Sequence, residues 1–86
     1  MPPAKFRASV SYHHMDPSLP AIGVVVFFLV DKGYGYLRLE GTREEFHFRS
    51  QNLAGRPPRK GDRVRFRLRE GRQGYYADEV EIAGFA

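Results

Sequence analysis

The sequence predicts an all-β protein, a small five-stranded antiparallel Greek-key barrel. Apolar residues nowhere recur at three- and four-residue spacing for long enough to form a helix of ordinary length. Five short stretches rich in β-branched and aromatic residues alternate with clusters of Gly, Pro and charge, which is how strands and turns read. The five are grouped as three, a longer connection, then two, the pattern of a small closed barrel such as an OB-fold. Closure also removes exposed sheet edges, which suits a small basic protein.

Each element has its own justification. Residues 23–30 (Gly-Val-Val-Val-Phe-Phe-Leu-Val) are too β-branched and aromatic for a helix. Asp31-Lys32-Gly33 then turns the chain, Gly being able to take positive φ. Residues 34–39 form the second strand and Glu40-Gly41-Thr42-Arg43 the second turn. Residues 45–49 alternate cleanly, so Phe46 and Phe48 should be buried while His47 and Arg49 face outward. Burying Arg49 instead would be costly without a partner. A longer connection over residues 50–62 contains Gly55-Arg56-Pro57-Pro58. Residues 63–69 alternate Arg with Val, Phe and Leu at period two, and residues 70–74 turn the chain into the last strand, 75–82. The expected inward set is Val25, Leu37, Phe46, Phe48, Val64, Phe66, Leu68, Val80 and Ile82. Asp78 falls on the inward phase of the last strand, which calls for a bulge or a barrel-end position there.

Ahead of the barrel, assigned to residues 22–86, lies an arm of residues 1–21. Phe6, Ala8, Val10 and Tyr12 alternate with polar residues, so the arm is either a sixth strand or a tail. It lacks the apolar core of a signal peptide, and the longest apolar run, Val24 to Val30, is far short of the ~20 residues that span a bilayer. A cytoplasmic protein with no membrane partner is the expectation.

The chain has 86 residues and no cysteine, which excludes thiol catalysis, iron–sulfur clusters and cysteine-rich zinc folds. Lys plus Arg is 14 against 10 Asp plus Glu, a net charge of +4 that favours a polyanion partner, nucleic acid first. His13, His14 and Asp16 match no standard ligand spacing, even with His47 added, so no metal is expected. No paired carboxylate in a plausible cleft, Ser-His-Asp set or phosphate-loop pattern is present, so neither an enzyme nor a cofactor is expected.

The strongest chemical signal is Lys32-Gly33-Tyr34-Gly35-Tyr36-Leu37. Tyr34 and Tyr36 stand two apart on a strand and share a face. The neighbouring glycines leave the backbone open for a flat ligand to approach, and rings on an open sheet face form a stacking platform for unpaired bases. The competing reading is core packing or a cross-strand aromatic pair.

This segment resembles the first ribonucleoprotein motif of the cold-shock domain family, K-G-F-G-F-[IV]. Gly23-Val24-Val25-Val26-Phe27-Phe28 sits where that family has G-x-V-K-W-F, and Glu45-Phe46-His47-Phe48-Arg49 where it has D-V-F-V-H, without a gap. Lys60-Gly61-Asp62-Arg63-Val64-Arg65-Phe66 is similar to its E-G-x-x-V-x-F, and residues 74–80 to its closing G-x-x-A-x-x-V. The resemblance covers residues 22–83 in five ordered blocks. It implies an OB-fold barrel that binds single-stranded RNA or DNA as a chaperone, with weak sequence selectivity and no chemistry. It further implies base stacking on Phe27, Tyr34 and Tyr36, a phosphate or base-edge contact from Lys32, and His47 and Arg49 in place of an outward aromatic and an outward His. The sequence departs from the family at Val26 (Lys there), at Leu29 (Asn there) and in the long loop, where no aromatic stands between Gly55 and Gly61.

Two basic sets remain. Arg56, Arg59 and Lys60 on the long connection are candidate phosphate contacts if that loop folds toward the sheet. Arg63, Arg65, Arg67 and Arg69 project from one strand face about 7 Å apart and repel one another. Either a nucleic-acid backbone or nearby Glu70, Glu79 and Glu81 must compensate them. The rival functional readings are a protein-interaction barrel, a homodimer through the apolar first strand or the N-terminal arm, and a structured-RNA binder using the Arg ladder.

Overall fold

The computed structural model describes residues 19–83. Five strands follow in order: β1 (Ala21–Leu29), β2 (Tyr34–Leu39), β3 (Glu45–Arg49), β4 (Arg63–Gly71) and β5 (Gly74–Ile82), with one 3-10 turn at Ser50–Asn52. They close into a barrel in the order β1-β2-β3-β5-β4, the connectivity of an OB-fold. Strand β1 is therefore hydrogen-bonded on both flanks, to β2 and to β4.

The barrel is mixed, not wholly antiparallel as the sequence predicts. β3 and β5 run parallel and meet at His47↔Tyr76. The reason is topological: a closed ring with an odd number of strands cannot alternate direction all the way round. The long connection after β3 and the β4–β5 hairpin place that parallel neighbour here. β1 also starts two residues earlier than expected, because Ala21 and Ile22 pair with Phe66 and Arg65 of β4.

Two bulges set which side chains face in. Against β2, the step from Val25 to Phe27 matches a single step from Leu37 to Tyr36, so Val26 is the extra residue. Val25 is buried, Phe27 turns outward, and Phe28 returns to the core to stack on Phe48 at 5.4 Å and 10°. In β5, the three steps from Asp78 to Glu81 oppose the two from Arg67 to Arg65, and Glu79 takes a φ of +49°. This is the irregularity that Asp78 calls for in the sequence.

The buried core is Val25, Leu37, Phe46, Phe48, Val64, Phe66, Leu68, Ala77 and Val80. Every expected inward residue is there except Ile82, which is half-buried near the end of its strand, and Ala77 joins because the bulge inverts the phase before it. Among the described residues no helix is long and apolar enough to cross a membrane. The alternation at Phe6, Ala8, Val10 and Tyr12 and the His13, His14 and Asp16 cluster lie outside the described residues.

Candidate nucleic-acid interface

The outer face of β1, β2 and β3 carries four rings in contact. The Val26 bulge brings Phe27 level with Tyr36, their centroids 5.6 Å apart, and Phe27 meets Tyr34 edge-on at 6.0 Å. On the next strand His47 pairs with Tyr36 and lies 5.6 Å from its ring and 6.4 Å from that of Tyr34. All four residues are half-buried. Such a surface presents π-faces to a flat ligand without a pocket.

Alternation in β3 holds as the sequence predicts: Phe46 and Phe48 are buried, His47 is half-buried and Arg49 is exposed beside Tyr34. Burial, and then the charge of Arg49, holds the His47 imidazole below its ordinary range, so it is a neutral ring at physiological pH.

Gly35 has a different role from the one the sequence suggests. It is buried and faces the barrel interior, where an added Cβ would collide with the Phe27 carbonyl oxygen and lie 2.8 Å from Phe28 Cα. Its lack of a side chain lets β2 approach the β1 bulge, and so it positions Phe27; it does not open the outer surface. Gly33 serves the turn, with φ +76° and its N–H donating to the Leu29 carbonyl at 2.7 Å.

The basic candidates surround this face unequally. Lys32 is exposed in the β1–β2 turn beside it. The turn at residues 59–62 is drawn against β1, since Gly61 N–H donates to the Val25 carbonyl and Val25 N–H to the Asp62 carbonyl, both near 2.9 Å. That places exposed Arg59 and Lys60 along the β1 side, two residues of strand from Phe27. Arg56 is exposed further back, just after Ala54, whose N–H donates to the Val80 carbonyl on β5.

The Arg ladder is compensated from within. Arg63 pairs with Glu40 at 3.0 Å, Arg65 with Glu81 at 3.0 Å, Arg67 with Glu79 at 3.3 Å, and Arg69 with Asp78 and Glu79 at 3.2 and 2.8 Å. Glu79 and Glu81 are two of the three carboxylates the sequence offers for this; Glu40 and Asp78 are added by the fold. No ion pair holds Lys32, Arg49, Arg56, Arg59, Lys60 or Arg72 among the described residues.

Sequence reasoning missed a groove between β3, the 3-10 turn and the β4–β5 hairpin. It has a volume of about 880 Å³ and is lined by Tyr36, His47, Arg49, Gln51, Arg72, Gln73, Tyr75 and Tyr76, among others. Counting period two back from Val80 sends Tyr76 inward; the bulge at Glu79 reverses that and sets Tyr76 outward beside His47. The signal was Asp78 on the wrong phase.

No protein-family model matches the chain, and no curated protein matches it at a significant level.

Proposed function

We propose that this protein binds single-stranded nucleic acid, RNA or DNA, in the manner of a cold-shock-like chaperone. Unpaired bases stack on Phe27, Tyr34, Tyr36 and His47, and unpaired cations at the rim meet the phosphates. The observation that carries this reading is the contiguous outward patch of four rings drawn from three strands. In a monomeric fold, aromatic rings of this number are normally spent on the core. Five ordered motif blocks in the sequence point the same way, as does the surplus of basic residues. Selectivity from this face is weak, because every base has a π-face and the charge interaction ignores sequence.

The test is a titration of the full chain against short unstructured oligonucleotides, followed by anisotropy of a labelled strand. The parent should bind single strands in preference to duplex, and Tyr34→Ala with Tyr36→Ala should weaken binding by orders of magnitude while circular dichroism stays unchanged. Each lost stack is worth ~1–3 kcal/mol. A double variant that binds as the parent does sinks the stacking face.

A protein-interaction barrel is the second reading, supported by Leu29 and the 69% exposed Val30 at the tip of β1. Pairing with β4 covers only Ala21–Val24, so at the tip of β1 such a contact can use these side chains and the flank that β2 does not occupy. Light scattering at several concentrations separates the two.

A further inference from the structure

We infer that the groove between β3 and the β4–β5 hairpin is a subsite for one unpaired nucleobase, stacked on Tyr76 and read at its edge by Gln51 and Gln73. This rests on the single-strand reading above and extends it, since it supplies a base preference that the four-ring face does not.

Three features of the fold place the subsite. First, it continues the stacking path. His47 and Tyr76 are direct partners across the parallel β3–β5 pair, and neighbouring strands lie about 4.8 Å apart. Inward Ala77 fixes Tyr76 on the outward phase, the same face as His47. The aromatic row therefore crosses four strands, from Phe27 to Tyr76, and a strand laid across the rings arrives at the groove. Second, the ring is seated. An added Cβ on Gly71 would meet Cδ1 and Cε1 of Tyr76 at 3.2 Å, so the ring lies against bare backbone of the hairpin while also lining the groove.

Third, the polar lining divides into engaged and available groups. Asn52 is committed: its Oδ1 accepts from Arg49 N–H at 2.8 Å and its Nδ2 donates to Asp78 at 3.1 Å. Glu45, on the rim, faces Arg38 at 3.6 Å. Gln51 and Gln73 are exposed, and their side chains make no hydrogen bond among the described residues. A Gln amide carries a donor and an acceptor side by side, the combination that reads a base edge. Arg49 and Arg72 also line the groove and have no ion pair among the described residues, which provides for the phosphates flanking the base. The volume, about 880 Å³, lies within the ~300–1,000 Å³ of small-ligand sites.

The test uses a labelled thymidine oligonucleotide in which one position at a time is replaced by adenine, cytosine or guanine. Binding to the parent should depend on base identity by about tenfold at a single position and little elsewhere. Tyr76→Ala should cost about tenfold in affinity and remove that dependence, with Tyr76→Phe retaining both. Gln51→Ala with Gln73→Ala should flatten the preference while leaving most of the affinity. Tyr76→Leu keeps apolar bulk without the π-face and stands in if the Ala variant does not fold. Tyr76 variants that bind within about twofold of the parent, or a flat base scan, overturn the subsite. If these leave binding intact while Tyr34→Ala with Tyr36→Ala abolishes it, the four-ring face survives alone. If the Tyr34 and Tyr36 variant also binds normally, both readings fall.

Discussion

The absence of one methyl group at position 35 decides where the first ring of the site stands. With any side chain there, β2 would be pushed off the β1 bulge by contact with the Phe27 carbonyl and Phe28 Cα, both of them backbone atoms that cannot swing away. Overpacking a barrel interior costs about 1–3 kcal/mol even where side chains can adjust. Gly35→Ala should therefore cost at least that much stability, read as a lowered urea midpoint. It should also weaken oligonucleotide binding through displacement of Phe27, with Tyr34 and Tyr36 unchanged. An unaltered midpoint would show that the strands can part without loss. His47 makes the second residue-level prediction. Its folded pKa lies below the unfolded value of about 6.5, because of burial and then Arg49. A depressed value means that the unfolded chain takes up the proton first. Stability is thus fully present above the unfolded value and is lost as pH falls through the folded one. Binding should move the other way, since a nearby phosphate favours the imidazolium. Between about pH 7 and 5, urea midpoints should drop and oligonucleotide affinity should rise, and His47→Phe should blunt both trends.

At the scale of the elements, the segment after β3 is tied down by a small polar latch. Buried Asn52 accepts from the Arg49 N–H and donates to Asp78, which also accepts from Glu79 N–H at 2.9 Å and Arg69 Nε at 3.2 Å. Partial burial pushes the Asp78 carboxyl up, but the hydrogen bonds from Asn52, Glu79 and Arg69 and the Arg69 charge outweigh it, so it lies below the usual carboxylate range. The latch fixes the bulge in β5 and with it the outward phase of Tyr76. Asn52→Ala would leave a backbone donor without its acceptor and should cost about 1–3 kcal/mol in a chemical-denaturation experiment. Val64, Phe66 and Leu68 announced β4 outright, because period-two alternation next to charge has one low-energy orientation. Phe46 and Phe48 did the same for β3. What the sequence did not disclose depends on contacts between distant segments. Ala21 is strand because β4 lies beside it, Gly35 is needed because β1 bulges opposite it, and Tyr76 faces out because Glu79 breaks the phase. The four-ring face was legible because it lies in three consecutive strands in simple register. The groove was not, since it forms only when the chain end returns to pair in parallel with β3.

At the scale of the whole molecule, most of the positive charge of the described residues falls into two populations. The ladder on β4 is balanced by Glu40, Asp78, Glu79 and Glu81, in pairs exposed enough that each is worth about 0–1 kcal/mol. These pairs make the ladder a solvated strand face with little net field. Near the rings and the groove, the cations left to act on a polyanion are Lys32 by the rings, Arg59 and Lys60 on the turn against β1, and Arg49 and Arg72 at the groove. This gives a definite expectation for salt. Binding should weaken as salt rises, with a log–log slope of roughly 0.7 for each phosphate neutralised on a single strand. Arg49→Ala should lower affinity for all sequences alike and make that slope shallower by about one phosphate's share. Arg65→Ala with Arg67→Ala removes twice the charge, yet should change both quantities less, because those guanidinium groups already face carboxylates on the neighbouring strand. The comparison is decisive because the two variants alter net charge in the opposite order to their expected effects. If affinity instead tracks net charge, with the ladder variant the weaker binder, the strand of nucleic acid runs along β4 and the aromatic face is not its path.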